Sequence, residues 1–161
     1  MIAVAYHFED WMQHVGASEP QTSMRRWTGD CKVLGADHLF LIDTTTFRIA
    51  QYYDHKDTEV QYKMFSQIEE IEDLYPEATF VYFEDRYFLE NNGIVGTDLA
   101  DFKHPDGDVI YVVGPNFGFI DAVDSRKKRE WVYIPCRPRY ALFAETVLSI
   151  ALYDRMTKAV K

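Results

Sequence analysis

The sequence predicts an α/β domain with a mostly parallel sheet of about five or six strands and helices on both of its faces. Two observations support this prediction. Residues 1–43 read as an apolar strand, a helix and a second apolar strand, which is the repeating unit of a parallel sheet. Further apolar runs then alternate with helical or turn segments towards the C-terminus. No repeat, linker or low-complexity stretch divides the 161 residues, so we expect a single domain over residues 1–161.

The N-terminal half supplies the first two strands and two helices. The apolar run Ile2–Phe8 is typical of a buried strand, and residues 38–42 form a second one. Residues 24–34 predict a helix between them, which Gly35 stops because glycine readily adopts a positive φ. Apolar side chains at helical spacing predict one longer helix over residues 58–74, with its acidic residues mostly on the solvent faces.

The C-terminal half supplies the remaining strands. Apolar runs at residues 78–83, Val109–Val113 and 131–134 predict three more strands, and residues 98–102 favour a single helical turn. A long helix is predicted over residues 141–153, where apolar side chains recur at helical spacing.

Two of these strands end in turns that indicate a binding site. The strand Val109–Val113 runs into a turn bounded by Gly114 and Gly118, and the strand at 131–134 runs into Pro135. Open α/β sheets bind ligands beyond the carboxyl ends of their strands, so we expect the site at these two ends. The glycine turn lacks the patterns of a P-loop and of a dinucleotide fingerprint, and an ordinary strand-to-helix turn is the alternative.

The charge is distributed unevenly along the chain. The net charge of −9 argues against a protein whose whole surface is basic and binds nucleic acid non-specifically. Residues 120–161, however, carry 9 Lys/Arg against 5 Asp/Glu, so any anionic partner should meet this part of the chain. A solvated basic face without function is the alternative. The candidate RNA phosphate contacts are Arg126, Lys127, Lys128, Arg129, Arg137 and Arg139.

Several classes of protein are excluded by what the sequence lacks. Cys31 and Cys136 are too few for a disulfide framework or a zinc site, and the five histidines lack metal-ligand spacing. We therefore expect no metal. The sequence contains neither a signal peptide nor an apolar run of about 18 residues, so we expect no membrane segment and a cytoplasmic protein. No serine lies in a nucleophile elbow, which disfavours a hydrolase.

Three motifs of the C-terminal third occur in a recognisable order. They are Val-Val-Gly114-Pro-Asn116-Phe-Gly118-Phe, then Val-Tyr-Ile134-Pro135-Cys136, then Ala141-Leu142-Phe143-Ala-Glu145 opening a helix that closes with Ala-Leu-Tyr-Asp154. In this order they resemble the SPOUT RNA methyltransferases, in particular the SpoU/TrmH branch that 2′-O-methylates ribose in tRNA and rRNA. Residues 20–43 resemble the family's first motif more weakly.

The resemblance implies a fold, a cofactor and a partner. It implies a C-terminal trefoil knot, S-adenosylmethionine held mainly by main-chain groups, and a homodimer that binds RNA. The implied activity is S-adenosylmethionine-dependent methyl transfer, most readily to a tRNA ribose during tRNA processing. Carried over by position, the cofactor contacts are Phe83, Glu84, Gly114, Asn116, Gly118, Ile134, Cys136 and Leu142.

The resemblance also implies catalytic residues and leaves an alternative. Arg26 or Arg25 corresponds to the family arginine, which we expect to bind the phosphate beside the target ribose, and Glu145 is a candidate proton acceptor. Asn116 stands where the family has glutamate, Phe143 where it has asparagine, and Glu145 where it has serine. The alternative is therefore a protein of the same fold that binds cofactor, nucleic acid or a protein partner without methyl transfer.

Overall fold

The computed structural model describes residues 1–8, 20–43, 59–114, 129–137 and 142–159. The strands in these ranges are β1 (Ile2–Phe8), β2 (His38–Asp43), β3 (Gln61–Phe65), β4 (Thr79–Phe83), β5 (Thr97–Asp98), β6 (Val109–Val113) and β7 (Arg129–Tyr133). The helices are α1 (Pro20–Val33), α2 (Ile68–Leu74), α3 (Arg86–Asn91) and α4 (Ala144–Ala159).

The described strands form one sheet with the order β3-β2-β1-β6-β4-β7-β5. All neighbouring strands in it are parallel, which confirms the predicted α/β class. Because the strands are parallel, all their carboxyl ends lie at one edge. The strand order reverses between β1, which leads out to β2 and β3, and β6, which borders the other half. Ligands of such sheets bind at this kind of reversal. The predicted C-terminal trefoil knot stays a prediction, because residues 115–128 and 138–141 lie outside the described ranges.

The sheet has seven described strands, so the expected count of five or six was too low. The main reason is β3, which lies inside the stretch that we predicted as one helix. Tyr62 and Met64 are half-buried, and Gln61 and Lys63, which alternate with them, are exposed, so this segment has the two-residue period of a strand. The apolar spacing of Val60, Met64 and Ile68 imitates a helix face and hides this period. Strand β5 is only two residues long. The predicted helical turn at residues 98–102 is observed as a hydrogen-bonded turn, in which the Asp101 and Phe102 amides donate to the Asp98 and Leu99 carbonyls.

The two faces of the sheet are covered by different helices. Alternate residues of β1 point to opposite faces, as the pleat requires. Val4 and Tyr6 belong to the cluster covered by α1 and α4, and Ala3 and Ala5 belong to the cluster covered by α2. Helices therefore lie on both faces, as expected. The predicted helix at residues 141–153 is observed later, at Ala144–Ala159.

Helix α1 begins and ends at residues suited to those positions. It begins at Pro20, whose missing N–H costs nothing in the first helical turn. Gly35 follows its last turn with φ of +85°, and the Ala36 amide donates to the Cys31 carbonyl at 2.8 Å. This bond closes the glycine-terminated helix cap that the sequence predicts.

A buried ion pair joins α2 to the start of β7. Glu72 accepts from Arg129 through two bonds, Nε–Oε1 at 2.9 Å and Nη2–Oε2 at 2.7 Å. The side chains of Arg129 and Glu72 are only 6% and 0% exposed. Tyr82 also donates to Glu72, and burial together with this carboxylate raises the pKa of Tyr82. The expectation that the acids of this helix lie on solvent faces is therefore wrong for Glu72.

A second polar cluster fastens the C-terminal half of α4 to residues 99–105. The ring of His104 accepts from the Tyr111 hydroxyl at Nδ1 (2.7 Å) and donates from Nε2 to Asp154 Oδ2 (2.8 Å). Lys158 donates to the Leu99 and Phe102 carbonyls. This cluster cannot be predicted from a local sequence pattern, because its members are far apart in the chain.

Two buried histidines predict that the fold weakens in mild acid. Burial lowers the pKa of His7 from 6.5 to about 4, and burial likewise lowers the pKa of His104. The unfolded chain therefore binds these protons more readily, so the stabilisation is complete above the unfolded pKa of about 6.5 and is lost as the pH falls. For His7 alone we expect a loss of about 2 kcal/mol between pH 7 and pH 5, measurable by urea unfolding. His7→Asn should flatten this dependence, and an unchanged slope in that variant would contradict the prediction.

Candidate functional site

The ends of β6, β4 and β7 lie side by side at the carboxyl edge of the sheet. Phe83 pairs with Val132 in register, and Tyr82 pairs with Val112 on the other side. The residues that follow, Glu84, Gly114 and Ile134, leave the sheet close to this level. Neighbouring strands are about 4.8 Å apart, so the three ends span about 10 Å, which is the width of a nucleoside. The structure thus brings the predicted cofactor contacts of three chain segments to one edge.

Gly114 is a position where the backbone requires glycine. Its φ is +75°, which side-chain-bearing residues rarely adopt. A Cβ at this residue would lie 3.1 Å from the Cβ of His7, 3.3 Å from the His7 carbonyl oxygen and 3.8 Å from the Cβ of Ala144. The end of β6 is therefore closely packed between the end of β1 and the first residue of α4, and this packing fixes the position of Gly114.

The other predicted cofactor contacts differ in accessibility. Phe83 is buried in the core, and the amide of Glu84 donates to the Val132 carbonyl at 3.1 Å. Ile134 is half-buried, and its carbonyl accepts from the exposed Cys136 thiol at 3.3 Å. Leu142 is partly exposed just before α4. Asn116 and Gly118 lie outside the described residues.

Arg26 and Glu145 come together where α1 packs against the first turn of α4. Arg26 Nη2 lies 3.7 Å from Glu145 Oε2. The same oxygen accepts from Trp27 Nε1 at 3.2 Å. The Trp27 ring is buried and stacks on Tyr6, near the end of β1, with a centroid distance of 4.0 Å. One turn further along, Ser149 donates to Asp30 at 2.6 Å and holds the same two helices together.

The two predicted arginines differ in their surroundings. Arg26 lies against Glu145, whereas Arg25 is exposed and is not part of the group formed by Arg26, Trp27 and Glu145. Glu145 lies in the first turn of α4, where the helix dipole favours a carboxylate. Ala144, one residue earlier, lies beside Gly114, since its Cβ would be 3.8 Å from a Cβ added at that glycine. Arg26 and Gly114 therefore both lie beside the N-terminus of α4. The catalytic roles themselves stay predictions.

The predicted RNA contacts divide into three groups. Arg129 is engaged with Glu72 inside the protein, so its guanidinium is not presented to a phosphate, and the expected RNA contact is corrected to a structural role. Arg137 is exposed just beyond the end of β7. Arg126, Lys127, Lys128 and Arg139 lie outside the described residues.

The residues at this edge fit an adenosine-containing cofactor better than a metal. The strand ends offer main-chain groups, and Leu142 and Phe143 offer apolar surface, with Phe143 68% exposed. Within the described ranges, no group of three or more His, Cys, Asp or Glu side chains is arranged to hold a metal ion. Among the helices described, none has the length and apolar character required to cross a membrane.

Comparison with known proteins gives a consistent answer at the level of the fold. The sequence matches no protein-family model and no curated protein. Among solved structures, the chain is similar to the SpoU methyltransferase AviRb from Streptomyces viridochromogenes in complex with the cofactor AdoMet, with a TM-score of 0.64 and 12% identity. That match covers 100% of this chain and 58% of AviRb, so the chain spans little more than half the length of that protein.

In two further matches, the chain covers a larger share of the matched protein. The TrmH/SpoU tRNA modifying enzyme of A. aeolicus matches with a TM-score of 0.66 and 10% identity, over 99% of this chain and 75% of the enzyme. A protein described by the 2-OH methylation of C/U34 on tRNA matches with a TM-score of 0.61 and 16% identity, over 99% of this chain and 97% of that protein. At these identities the likeness establishes the fold. The expected resemblance is confirmed at that level, and the chain has the fold of the SpoU/TrmH RNA methyltransferases.

Proposed function

We propose that this chain is an S-adenosylmethionine-dependent RNA 2′-O-ribose methyltransferase, with tRNA as the favoured substrate. One observation carries the proposal: the first turn of α4 lies beside both predicted halves of the site. Ala144 lies against Gly114 at the strand ends, and Glu145 lies against Arg26. A cofactor held at the strand ends and a phosphate held by Arg26 would therefore be neighbours, as transfer of a methyl group to a ribose requires.

The cofactor would be held by the strand ends and the entry to α4. Bound S-adenosylmethionine supplies a methyl group on a positively charged sulfur. The main-chain groups of Gly114, Ile134 and Cys136 are suited to the adenosine and amino-acid parts, because glycine at one end leaves the backbone accessible. Leu142 is suited to cover the adenine base, since its side chain is partly exposed beside this edge. Asn116 and Gly118 complete the proposed set.

Arg26 would orient the RNA through the phosphate beside the target ribose. A guanidinium binds phosphate through two parallel hydrogen bonds, which fixes the sugar as well as attracting it. The side chain of Arg26 is 57% exposed, so an RNA strand has access to it. The proton of the ribose hydroxyl needs an acceptor, and Glu145 stays the candidate from the sequence. Its carboxylate accepts from Trp27 through Oε2, and its other lone pairs can take a proton.

The proposal includes a homodimer in the cytoplasm. Helix α4 leaves Tyr153 57% exposed and Met156 38% exposed, and Phe143 precedes the helix with its ring exposed. Large apolar side chains concentrated along one helix favour a covering partner. We assign that partner to a second copy of the chain, which the family resemblance also implies. Analytical ultracentrifugation of the purified protein measures this directly.

Replacing Arg26 and Arg25 separately tests the proposed site. Arg26→Gln should lower methyl transfer to tRNA by about 10- to 100-fold, because a charge-assisted bond to the phosphate is lost. Arg25→Gln removes the same charge from the neighbouring position and should change the rate by less than about threefold. The measurement is kcat/KM with isotopically labelled S-adenosylmethionine, followed by mass spectrometry of the 2′-O-methylated nucleoside.

Cofactor binding separates the proposal from its alternative. Calorimetric binding of S-adenosylmethionine together with 2′-O-methylated product supports the enzyme. Binding without product from a whole-tRNA pool supports a protein of this fold that holds cofactor or RNA without methyl transfer. The Glu145 carboxylate against Arg26 is the observation that favours this alternative, because it occupies the predicted phosphate contact. Absence of binding removes the enzyme, and equal losses in the two arginine variants would remove the specific role of Arg26.

A further inference from the structure

The contact between Glu145 and Arg26 places an anion of the protein where a substrate anion is expected. Glu145 Oε2 lies 3.7 Å from Arg26 Nη2, and a phosphate oxygen bound to that nitrogen would lie at a similar or shorter distance. Both side chains are partly exposed, with 57% of Arg26 and 41% of Glu145 accessible. The carboxylate and an incoming phosphate therefore compete for one guanidinium that faces solvent.

The carboxylate is held in this place by more than its attraction to Arg26. The indole N–H of the buried Trp27 donates to the same oxygen at 3.2 Å, and the Trp27 ring is fixed by its stack on Tyr6. Exposed ion pairs are weak because water and salt screen them. A hydrogen bond from a buried indole N–H adds direction and limits the rotamers of Glu145. The pair is thus better ordered than an ordinary surface salt bridge.

We propose that Glu145 is a specificity-determining residue that competes with RNA phosphate for Arg26. In the RNA-free protein the carboxylate occupies the guanidinium and repels other anions. An RNA that makes additional contacts elsewhere on the surface displaces the carboxylate, whereas a phosphate without such contacts does not. The inference rests on the proposed RNA site at Arg26, and it adds a selection step to that site.

The competition has a chemical consequence for the site. When phosphate takes over Arg26, the Glu145 carboxylate loses its cationic neighbour and moves away from the Trp27 indole N–H. Its negative charge then lies in the first turn of α4, which stabilises it. No covalent step is needed for the exchange. Binding of the correct RNA therefore changes the electrostatic state of the site before any methyl transfer takes place.

Glu145→Gln isolates the competing charge. The amide oxygen of glutamine still accepts from Trp27, but the negative charge beside Arg26 is removed. We expect a short single-stranded RNA to bind the variant about fivefold more tightly at low salt, because one repulsive charge a few ångströms from the phosphate is lost. The measurement is fluorescence anisotropy of the labelled RNA. In the Arg26→Gln background, the same substitution should produce no gain.

A matched control comes from the other end of α1. Lys32 Nζ lies 3.2 Å from Glu59 Oε1, and both side chains are at least 41% exposed. Glu59→Gln removes one negative charge that is paired with Lys32, which lies six residues after Arg26 in α1. We expect this variant to bind RNA like the unmodified protein. An equal gain in Glu59→Gln and Glu145→Gln would reduce the effect to net charge and overturn the proposal.

The indole N–H of Trp27 reports the displacement directly. Its nitrogen–proton resonance, assigned with Trp27→Phe, should shift when RNA saturates the protein, because its carboxylate acceptor moves. Inorganic pyrophosphate, which makes no contacts elsewhere on the surface, should leave the resonance in place. The shift should be smaller in Glu145→Gln, whose amide is not displaced by an anion. A resonance that stays in place while RNA binds would overturn the proposal, as would equal RNA affinities for Glu145→Gln and the unmodified protein.

Methyl transfer measured on the same preparations separates this inference from the proposed function. If the protein forms methylated product but Glu145→Gln binds RNA with unchanged affinity, the competition is disproved and the enzyme stands. If Glu145→Gln gains affinity through Arg26 and no preparation forms product, the competition stands and the enzyme is disproved.

Discussion

Arg129→Met should lower the free energy of unfolding by about 3–5 kcal/mol, because it leaves the buried Glu72 carboxylate without its cation. Both side chains of this pair are almost fully inaccessible, at 6% and 0% exposure. The Tyr82 hydroxyl donates to the same carboxylate, so the loss would also disturb the contact between β4 and α2. Urea unfolding followed by circular dichroism measures the change.

The control for this variant removes an acid of the same helix that is not buried. Glu69→Gln, on the exposed side of α2, should change stability by less than about 0.5 kcal/mol. Replacing both members of the pair, as Glu72→Met with Arg129→Met, should recover much of the lost stability, because apolar groups carry no charge to desolvate. If Arg129→Met were as stable as the unmodified protein, the guanidinium would not be buried as described. Arg129 would then return to the candidate RNA contacts.

Gly114→Val should be the second most damaging change, with an expected loss of about 2–4 kcal/mol from backbone strain and overpacking. The φ of +75° is unfavourable for a β-branched residue. The added side chain would also meet His7 and Ala144, since even its Cβ lies 3.1 Å from the His7 Cβ. We expect binding of S-adenosylmethionine to be lost in this variant. Thermal unfolding and calorimetry measure the two effects.

Alanine at two glycines separates strain from contact. Gly93 also has a positive φ, of +66°, but a Cβ there would have nothing within 4 Å. Gly93→Ala therefore reports the backbone term alone, whereas Gly114→Ala adds the close approach of β1 and α4. We expect Gly114→Ala to be less stable than Gly93→Ala. Equal losses of stability in both variants would mean that the packing around the end of β6 is looser than the distances indicate. If Gly114→Val still bound S-adenosylmethionine, the cofactor site would lie elsewhere.

The sequence predicts best where local composition decides the structure. β1 and β6 are observed at the predicted bounds because each is a short apolar run between polar or glycine residues. β3 was hidden because its residues satisfy a helix and a strand pattern at once. Helix α3 was not predicted, although Asp85 gives the signal, since its side chain accepts from the Phe88 amide at 2.8 Å.

The site was predictable in part, for a related reason. Gly114 can be recognised in the sequence as the end of a strand, because few residues other than glycine adopt its positive φ. The contact between Trp27 and Glu145 joins residues 118 positions apart, and the pair formed by Arg129 and Glu72 spans 57 positions. No periodic pattern encodes such partners. Only the fold decides that Arg26 stays exposed at the surface and that Arg129 pairs with a buried carboxylate.

The position of α4 has a consequence for how the molecule responds to change at a distance. Its first turn borders the strand ends, and Asp154 is tied to His104 further along. The helix rises about 13 Å between Glu145 and Asp154 and behaves as a stiff rod over that length. A small tilt of α4 at Asp154 therefore also shifts its first turn, where Glu145 lies beside Arg26. Substitutions outside the proposed site can in this way misalign the residues that we propose to hold RNA and cofactor.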